Sequence, residues 1–562
     1  MSRGKSYERP FQKKVRLKRG SVVLIKKVNI FNYKCFQNFS IDFTSGVNIL
    51  VGNNESGKST ILEAIHLVLT GILNGKYIKN EISQHLFNYK TANSYLKAIR
   101  RGKNPLPPEI KIEIFFDDCL APEFKGRGNS QKENAYGIVF KIEFDEDYKP
   151  SYEQLLKDKD NISSIPIEYY KISLKDFSRN STTTRVIPLK SALIDSASNR
   201  YPNGSDIYLA RIIKDDLDED EKILLSQAYR KMRDAFVENP TIQSINTKIA
   251  KKSKLTNKQI NISAELPTKS AWETTLMTYL DGIPFHQIGK GEQCLIKTNL
   301  ALGHKKAEEA GLLLIEEPEN HLSHTKLNEL IKSISDHCCE TEKQVIISTH
   351  SSFVANKLGL ENLILINEQA TTRLNELSDK TFQFFKKLSG YHTLRLLLCK
   401  KAVLVEGDSD ELIFQKAYKD KNECLPIEDG IDVISVGMAF KRFLEIADKI
   451  AVPVAVITDN DGDYENNVRR KYSSFDSSKN IKIFASDDEN METLEPQFAD
   501  VNSLPVLQKA LKLKADSYDS KRKITSYMLK NKTAWALKVF EYSKTMSYPA
   551  YIVEAVEWCD DE

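Results

Sequence analysis

The chain holds 562 residues, more than one hydrophobic core usually organises, so two or three domains are expected. Apolar content of 41% and charged content of 28% are ordinary for a soluble globular protein, and a net charge of +4 excludes a simple polycation. No stretch approaches 18 uninterrupted apolar residues and the start MSRGKSYERP lacks the apolar core of a signal peptide, so a cytoplasmic protein with no membrane partner is expected. The eight cysteines are scattered, Cys338 and Cys339 adjacent, without a C-x-x-C pair; this argues against zinc and against a disulfide framework.

Residues 1–27 form a basic arm: ten Lys or Arg against the single acid Glu8. Two readings stand side by side, an arm that lies on nucleic-acid phosphates and a solvated tail. Next comes VNILVGNNESGKSTILEAIH at 47–66, an apolar strand, a glycine-bounded loop and a helix. Gly52, Gly57, Lys58 and Ser59 match G-x-x-x-x-G-K-[ST]. In such a phosphate loop the backbone N–H groups around Gly52, Asn53, Asn54, Gly57 and Thr60 curl about phosphate oxygens, Lys58 reaches the terminal phosphates and Ser59 holds Mg²⁺. A nucleoside triphosphate, ATP, is the expected ligand.

The span 155–275 is rich in charge and helical pattern and has no catalytic signature, so a helical insertion for dimerisation is expected there. Within it KDDLDEDEK at 214–222 suits the start of a helix, and Leu225, Tyr229, Met232 and Phe236 recur at helical spacing as a core or partner-helix stripe. Downstream, QIGKGEQCLIKTNLAL at 287–302 opens a helix with Gly289, Lys290, Gly291, Glu292 and Gln293, a glycine-rich start suited to an anion. LLLIEE at 312–317 reads as a buried strand ending in two carboxylates. Glu316 is assigned to the nucleotide's metal and Glu317 to the attacking water. VIISTH at 345–350 supplies another strand ending in a polar residue, His350.

This order of phosphate loop, glycine-rich helix start, LLLIEEPE and STH resembles the ATP-binding-cassette ATPases, in the soluble branch shared with chromosome-maintenance and recombination ATPases. The resemblance implies a head-to-head dimer in which Gly289, Gly291 and Gln293 serve the nucleotide of the partner. Glu316 stands where transporters carry Asp, and the glutamine loop of that family has only Gln84, in EISQHLFNY, as a candidate.

Around residue 400 a fresh alternation begins: KAVLVEGDSDELIFQKAY, IDVISVGMAFKRFLEIADKI and VPVAVITDNDGDYE. It reads as βαβαβ with short connections, hence a small parallel sheet whose functional groups gather where strands end. Glu406 follows AVLV, and Asp459, Asp461 and Asp463 follow VAVIT. Clustered acids repel one another unless a cation sits among them, and oxygen-only ligands favour Mg²⁺ or Mn²⁺. The plainer alternative treats TDNDGD as a solvated turn.

This second module resembles the Toprim domain, whose Glu and D-x-D signature maps onto Glu406, Asp459 and Asp461; Asp410 and Gly437 also fall where that family places polar and small residues. An ABC-type ATPase followed by Toprim is similar to the overcoming-lysogenization-defect nucleases, which include nuclease subunits of the Gabija and retron anti-phage systems. The resemblance implies a two-metal site completed by a further Glu and a Lys, here Glu495 and Lys532, with Glu492 or Asp487 as substitutes for Glu495. It also implies DNA as substrate, a homodimer or tetramer, and a companion defence protein or retron RNA/DNA.

The fold expected is therefore α/β: an arm at 1–27, an ATPase head at 28–154 and 276–395 with a helical insertion at 155–275, and a Toprim domain at 396–562. The function expected is an ATP-binding, metal-dependent DNA endonuclease. Two alternatives stand beside it, an ATP-gated DNA clamp without nuclease activity and a topoisomerase using Tyr472, Tyr518, Tyr527 or Tyr542.

Overall fold

The computed structural model describes residues 23–117, 122–157, 162–195, 213, 217–252, 262, 277–302, 311–341, 343–367, 370–374, 377–387 and 393–560. Residues 1–22 of the basic arm and 214–216 of the acidic run lie outside them. The chain divides into two compact units, residues 1–50 with 57–349 and residues 51–56 with 350–562.

The first unit holds an antiparallel sheet and a set of parallel strands. Ile25–Tyr33 pairs with Phe36–Asp42 on one side and Ile110–Phe116 on the other, and Ala135–Phe144 continues the sheet. The parallel strands run Ser191–Asp195, Leu312–Glu316, Gln344–Ser348 and Val47–Gly52, in that order. Their near-continuous apolar runs suit a sheet covered on both faces, and Leu312, Leu313, Leu314, Val345, Ile346 and Ile347 are fully buried. Helix Lys58–Thr70 packs against three of these strands. The side chain of Gln344, buried without exposure, joins the two layers. Its Oε1 accepts from Ile25 N at 2.9 Å, and its Nε2 donates to Ile25 O and Thr44 O, each at 2.9 Å.

The span expected to be helical begins with strands instead. Tyr170–Asp176 extends the antiparallel sheet beside Ala135–Phe144, and Ser191–Asp195 forms the outermost of the parallel strands. YKISLKD carries the two-residue alternation of a half-buried strand, and the neighbouring charge obscured it. Helices follow at Glu219–Glu238 and Pro240–Lys252. Asp218 and Glu221 form a reciprocal capping box at the first, as the acidic run suggested. No residue of Glu219–Glu238 is buried; Leu224, Met232 and Phe236 are exposed, while Leu225 and Tyr229 of the expected stripe are half-buried.

In the second unit four parallel strands run in the order Ile431–Ser435, Lys401–Val405, Val454–Ile457 and Ile481–Phe484. The chain leaves the Lys401 strand for one neighbour and returns to the other, so the order of strand addition reverses between Lys401–Val405 and Val454–Ile457. Ligand sites of open parallel sheets lie outside the carboxyl ends of strands at such a reversal. Helix Asp408–Asn422 and the C-terminal helices Leu494–Val501, Lys532–Phe540 and Ala550–Asp560 share one core with this sheet, centred on Phe414, Phe498 and Trp535.

The segment before this sheet is fastened to it. Thr393 Oγ1 donates to Asn356 Oδ1 at 2.7 Å with both residues fully buried, and Arg395 grips Asp432 through Nε at 3.0 Å and through Nη2. Such a planar fork is stronger than a neutral hydrogen bond. Glu445 accepts from Ser378 Oγ at 2.9 Å and Thr381 Oγ1 at 2.5 Å, and Phe385 meets Phe443 with centroids 5.2 Å apart. Among the described residues, Cys35, Cys294, Cys399, Cys424 and Cys559 are thiols outside any disulfide.

Leu404 sits without exposure in the central Lys401–Val405 strand. Leu404→Ala should lower stability by about 2–5 kcal/mol through lost burial and the cavity left behind, read from the urea midpoint.

Candidate functional site

Each half of the chemistry occupies the end of a parallel sheet. In the first, Gly57 caps helix Lys58–Thr70 with φ +94, a conformation that favours glycine. A Cβ there would fall 2.3 Å from Phe36 Cζ, so only glycine lets the loop close against the Phe36 ring. Lys58 is buried at the helix start, and Asn53, Asn54 and Ser59 are exposed on the loop. Burial pulls the Lys58 ammonium below its usual pKa, while Glu317, Glu319 and Glu316 push it back up. The glutamates assigned from sequence are therefore close enough to Lys58 to feel its charge.

Glu317 takes a left-handed backbone conformation, φ +40, immediately past the Leu312–Glu316 strand. Its N donates to Ser348 O at 3.0 Å, tying that corner to the neighbouring strand, and its Oε2 accepts from Asn320 Nδ2 at 2.9 Å. Glu319, which sequence reasoning passed over, accepts from the buried Thr349 Oγ1 at 2.6 Å. Its signal was present in the same acidic run, two residues beyond Glu317. His350 follows Thr349 and is exposed.

Gly289, Lys290 and Glu292 are exposed at the start of helix Lys290–Leu302. A Cβ on Gly291 would fall 2.3 Å from His321 O, so that glycine serves close packing. Gln293 turns inward: it is buried, and its Nε2 donates to Ile288 O at 2.6 Å. Gln84 is exposed in a short 3₁₀ turn.

The second half gathers carboxylates. Glu406 ends the Lys401 strand, and Asp459 stands just past the adjacent Val454 strand. Burial lifts the Asp459 carboxyl to about 8, with Asp410, Glu406, Glu495 and Asp461 adding their repulsion. Burial likewise lifts Asp410 to about 7, opposed by its bond from Gly407 N at 3.0 Å and reinforced by Glu406 and Glu495. Four acids named from the sequence thus act on Asp459, among them Glu495, which is buried in the first turn of helix Leu494–Val501. Asp463 does not join them. Its carboxylate accepts from Asn466 N at 3.0 Å and Nδ2 at 2.6 Å, which holds its pKa below the usual range. Lys532 is exposed at the first residue of helix Lys532–Phe540, and it is not among the groups acting most strongly on Asp410 or Asp459.

Among the described residues no three His, Cys, Asp or Glu side chains stand as a preformed ion cage. The donor set nevertheless fits a hard divalent cation, being all oxygen and short of positive charge where its members repel one another. Asn460, also missed from sequence, builds the loop that carries two of these acids. Fully buried, its Nδ2 donates to Ser486 O at 3.0 Å and Asp488 O at 2.9 Å, and its Oδ1 accepts from Gly462 N at 2.9 Å. Asp461, φ +46, is held by its N donating to Glu492 O at 3.2 Å. Among the tyrosines a topoisomerase would need, Tyr472 is buried and Tyr518, Tyr527 and Tyr542 pack half-buried on the core.

An ATPase domain followed by a TOPRIM domain is the class that these strands and site residues define. The AAA ATPase domain model matches residues 24–355, and the chain belongs to that family. Residues 397–461 match the overcoming lysogenization defect protein-like TOPRIM domain. It is 23% identical over 468 residues to the OLD nuclease of Thermus scotoductus, covering 78% of this chain and 82% of that one. It is also 30% identical over 118 residues to the DNA replication and repair protein RecF of Clostridium beijerinckii, 21% of this chain and 30% of that one. The chain spans about half the length of the RecF of Clostridium tetani, 53%. Among solved structures, the C-terminal region of the Burkholderia pseudomallei OLD protein aligns over 29% of this chain and 97% of that one, at 17% identity and a TM-score of 0.25. Among the described residues no helix is long and apolar enough to cross a membrane.

Mn²⁺ at about 100 times its Kd should stabilise the protein by about 2.7 kcal/mol, read by thermal unfolding. Asn460→Ala should abolish most of that gain while lowering metal-free stability by about 1–3 kcal/mol, since the Ser486 and Asp488 carbonyls lose the buried amide that donates to them.

Proposed function

We propose that the protein is an ATP-binding, metal-dependent DNA endonuclease acting in anti-phage defence. The observation that carries the reading is the buried Asp459 carboxyl at the reversal point of the C-terminal sheet, on which Glu406, Asp410, Asp461 and Glu495 all act. Its sequence relation to an enzyme named OLD nuclease supports the same reaction class. Glu406, Asp459 and Asp461 would hold Mg²⁺ or Mn²⁺, with Asp410 and Glu495 completing the shell. Bound there, the cation offsets the charge of a phosphodiester under attack. Glu406 and Asp459 present their oxygens from the ends of adjacent rigid strands, so their separation is set by the sheet. Gly407 N orients Asp410, and Asn460 fixes the loop beneath Asp461. Lys532, exposed at a helix start, is available to a DNA phosphate.

Residues Gly52 to Thr60 would cradle ATP, Ser59 and Glu316 would serve its Mg²⁺, and Glu317, steadied by Asn320, would orient water. Gly289, Lys290 and Glu292, being exposed, are free to meet a partner's nucleotide in a homodimer. The uncovered stripe Leu224, Met232 and Phe236 supports a dimer contact through the helical segment. Residues 1–27 would add phosphate contacts, a cytoplasmic location suits a DNA substrate, and a companion defence protein or retron RNA/DNA would set when the enzyme acts.

Plasmid nicking in Mg²⁺ or Mn²⁺ tests the reading. Glu406→Ala or Asp459→Ala should cut on the order of 100-fold more slowly, or worse, while ATP binding persists. Glu317→Ala should do the reverse, losing ATP hydrolysis but keeping the metal-dependent cut. Variants at Glu406 and Asp459 that nick like the parent would instead favour the DNA clamp. In a separate assay, Lys58→Ala should abolish nucleotide binding yet leave the Mn²⁺-induced thermal shift in place.

A further inference from the structure

Past Asp463 the chain enters a single π-helical turn, Glu465–Arg470. Such turns are rare and occur mostly where function places a side chain. Three cations leave it in succession: Arg469, Arg470 and Lys471. The side chains of Arg469 and Arg470 are 75% and 70% exposed and share the one carboxylate of Glu465, each at 3.6 Å. Arg470 Nη1 also donates to Asn466 Oδ1 at 3.0 Å. Lys471 Nζ stands 5.3 Å from the centroid of the Tyr472 ring. That ring is buried edge-on against Phe440, near enough to Glu406 to feel its charge.

A row of surface charges is ordinarily just solvated. This row differs because it is bolted to the acid loop. Asp463 holds both the N and Nδ2 of Asn466, and Asn467 Nδ2 donates to Asn460 O at 3.1 Å. Tyr464 N donates to Glu489 Oε1 at 3.2 Å. The segment that carries the cations is therefore tied to the acid loop, and Arg470 lies near enough to Asp463 for the two charges to act on each other. Three cations against the two carboxylates of Glu465 and Asp463 leave the row with an excess positive charge, and an anionic polymer approaching the acid cluster needs such cations.

We propose that Arg469, Arg470 and Lys471 form a docking surface for the phosphate backbone of DNA, next to the phosphodiester that faces Glu406 and Asp459. The proposal rests on the nuclease reading and adds the surface on which the substrate lies. Exposed guanidinium forks match phosphate oxygens, and an arginine held 3.6 Å from a carboxylate exchanges that weak surface contact readily.

The test is fluorescence anisotropy with a labelled DNA duplex in EDTA, where cutting is absent, across about 50–200 mM salt. Arg469→Gln/Arg470→Gln should reduce the slope of log affinity against log salt by about two units, because two phosphate contacts are lost. The Mn²⁺-induced thermal shift and ATP hydrolysis should stay at parental values. Glu465→Gln releases both arginines and should tighten binding, which keeps the test decisive if the double variant fails to fold. An unchanged slope in the double variant, unchanged affinity in Glu465→Gln, or a parent protein that binds no duplex overturns the proposal. A parent that binds with the arginine-dependent slope yet never nicks in Mg²⁺ or Mn²⁺ removes the nuclease reading and leaves the docking surface standing. A parent that nicks, with a double variant that binds and nicks equally well, does the opposite.

Discussion

Burial of a parallel sheet on both faces leaves its strands one place to meet solvent, their ends, and both reactive regions of this chain depend on that constraint. Leu312–Ile315 and Val345–Ile347 are apolar and buried, and polarity begins at Glu316 and Ser348. The same change occurs between Val405 and Glu406 and between Ile457 and Asp459. Strand pairing then fixes which ends are neighbours. Without the register Ile315↔Ile347 and Leu404↔Val456, the acids would be scattered surface charges.

The two regions solve opposite electrostatic problems. Around the phosphate loop a buried lysine feels Glu316, Glu317 and Glu319, and the carboxylates oppose the larger effect of burial on the ammonium. In the C-terminal sheet burial and repulsion act in the same direction on Asp410 and Asp459. A bound divalent cation would reverse the second effect and leave the first untouched. This difference is why one region suits an anionic nucleotide and the other an ion.

Much of this was legible in the sequence because it is local. The phosphate loop is a fixed spacing read along one segment, and Glu406 and Asp459 each follow an unbroken apolar run. What could not be read is what tertiary structure decides. Asn460 looked like one more turn residue within TDNDGD, and only the fold shows it buried and bonded to Ser486 and Asp488. Gln344 is an unremarked polar residue at a strand start until its amide is found joining two layers. Gln293 was placed at a nucleotide from its position in a glycine-rich run, but burial turned its side chain to Ile288. Strands Tyr170–Asp176 and Ser191–Asp195 were lost in a charged stretch whose average composition favoured helix.

The Asn460 amide has one more effect, on the durability of the loop. Asp461 and Gly462 form an aspartyl–glycyl pair, the sequence in which a backbone nitrogen most readily attacks the preceding side-chain carboxyl to give a cyclic imide and then isoaspartate. Here the Gly462 nitrogen already donates to Asn460 Oδ1 at 2.9 Å, and Asp461 is pinned through its own nitrogen to Glu492 O. The hydrogen bond that shapes the loop therefore also engages the N–H proton that this nitrogen must lose before it can attack.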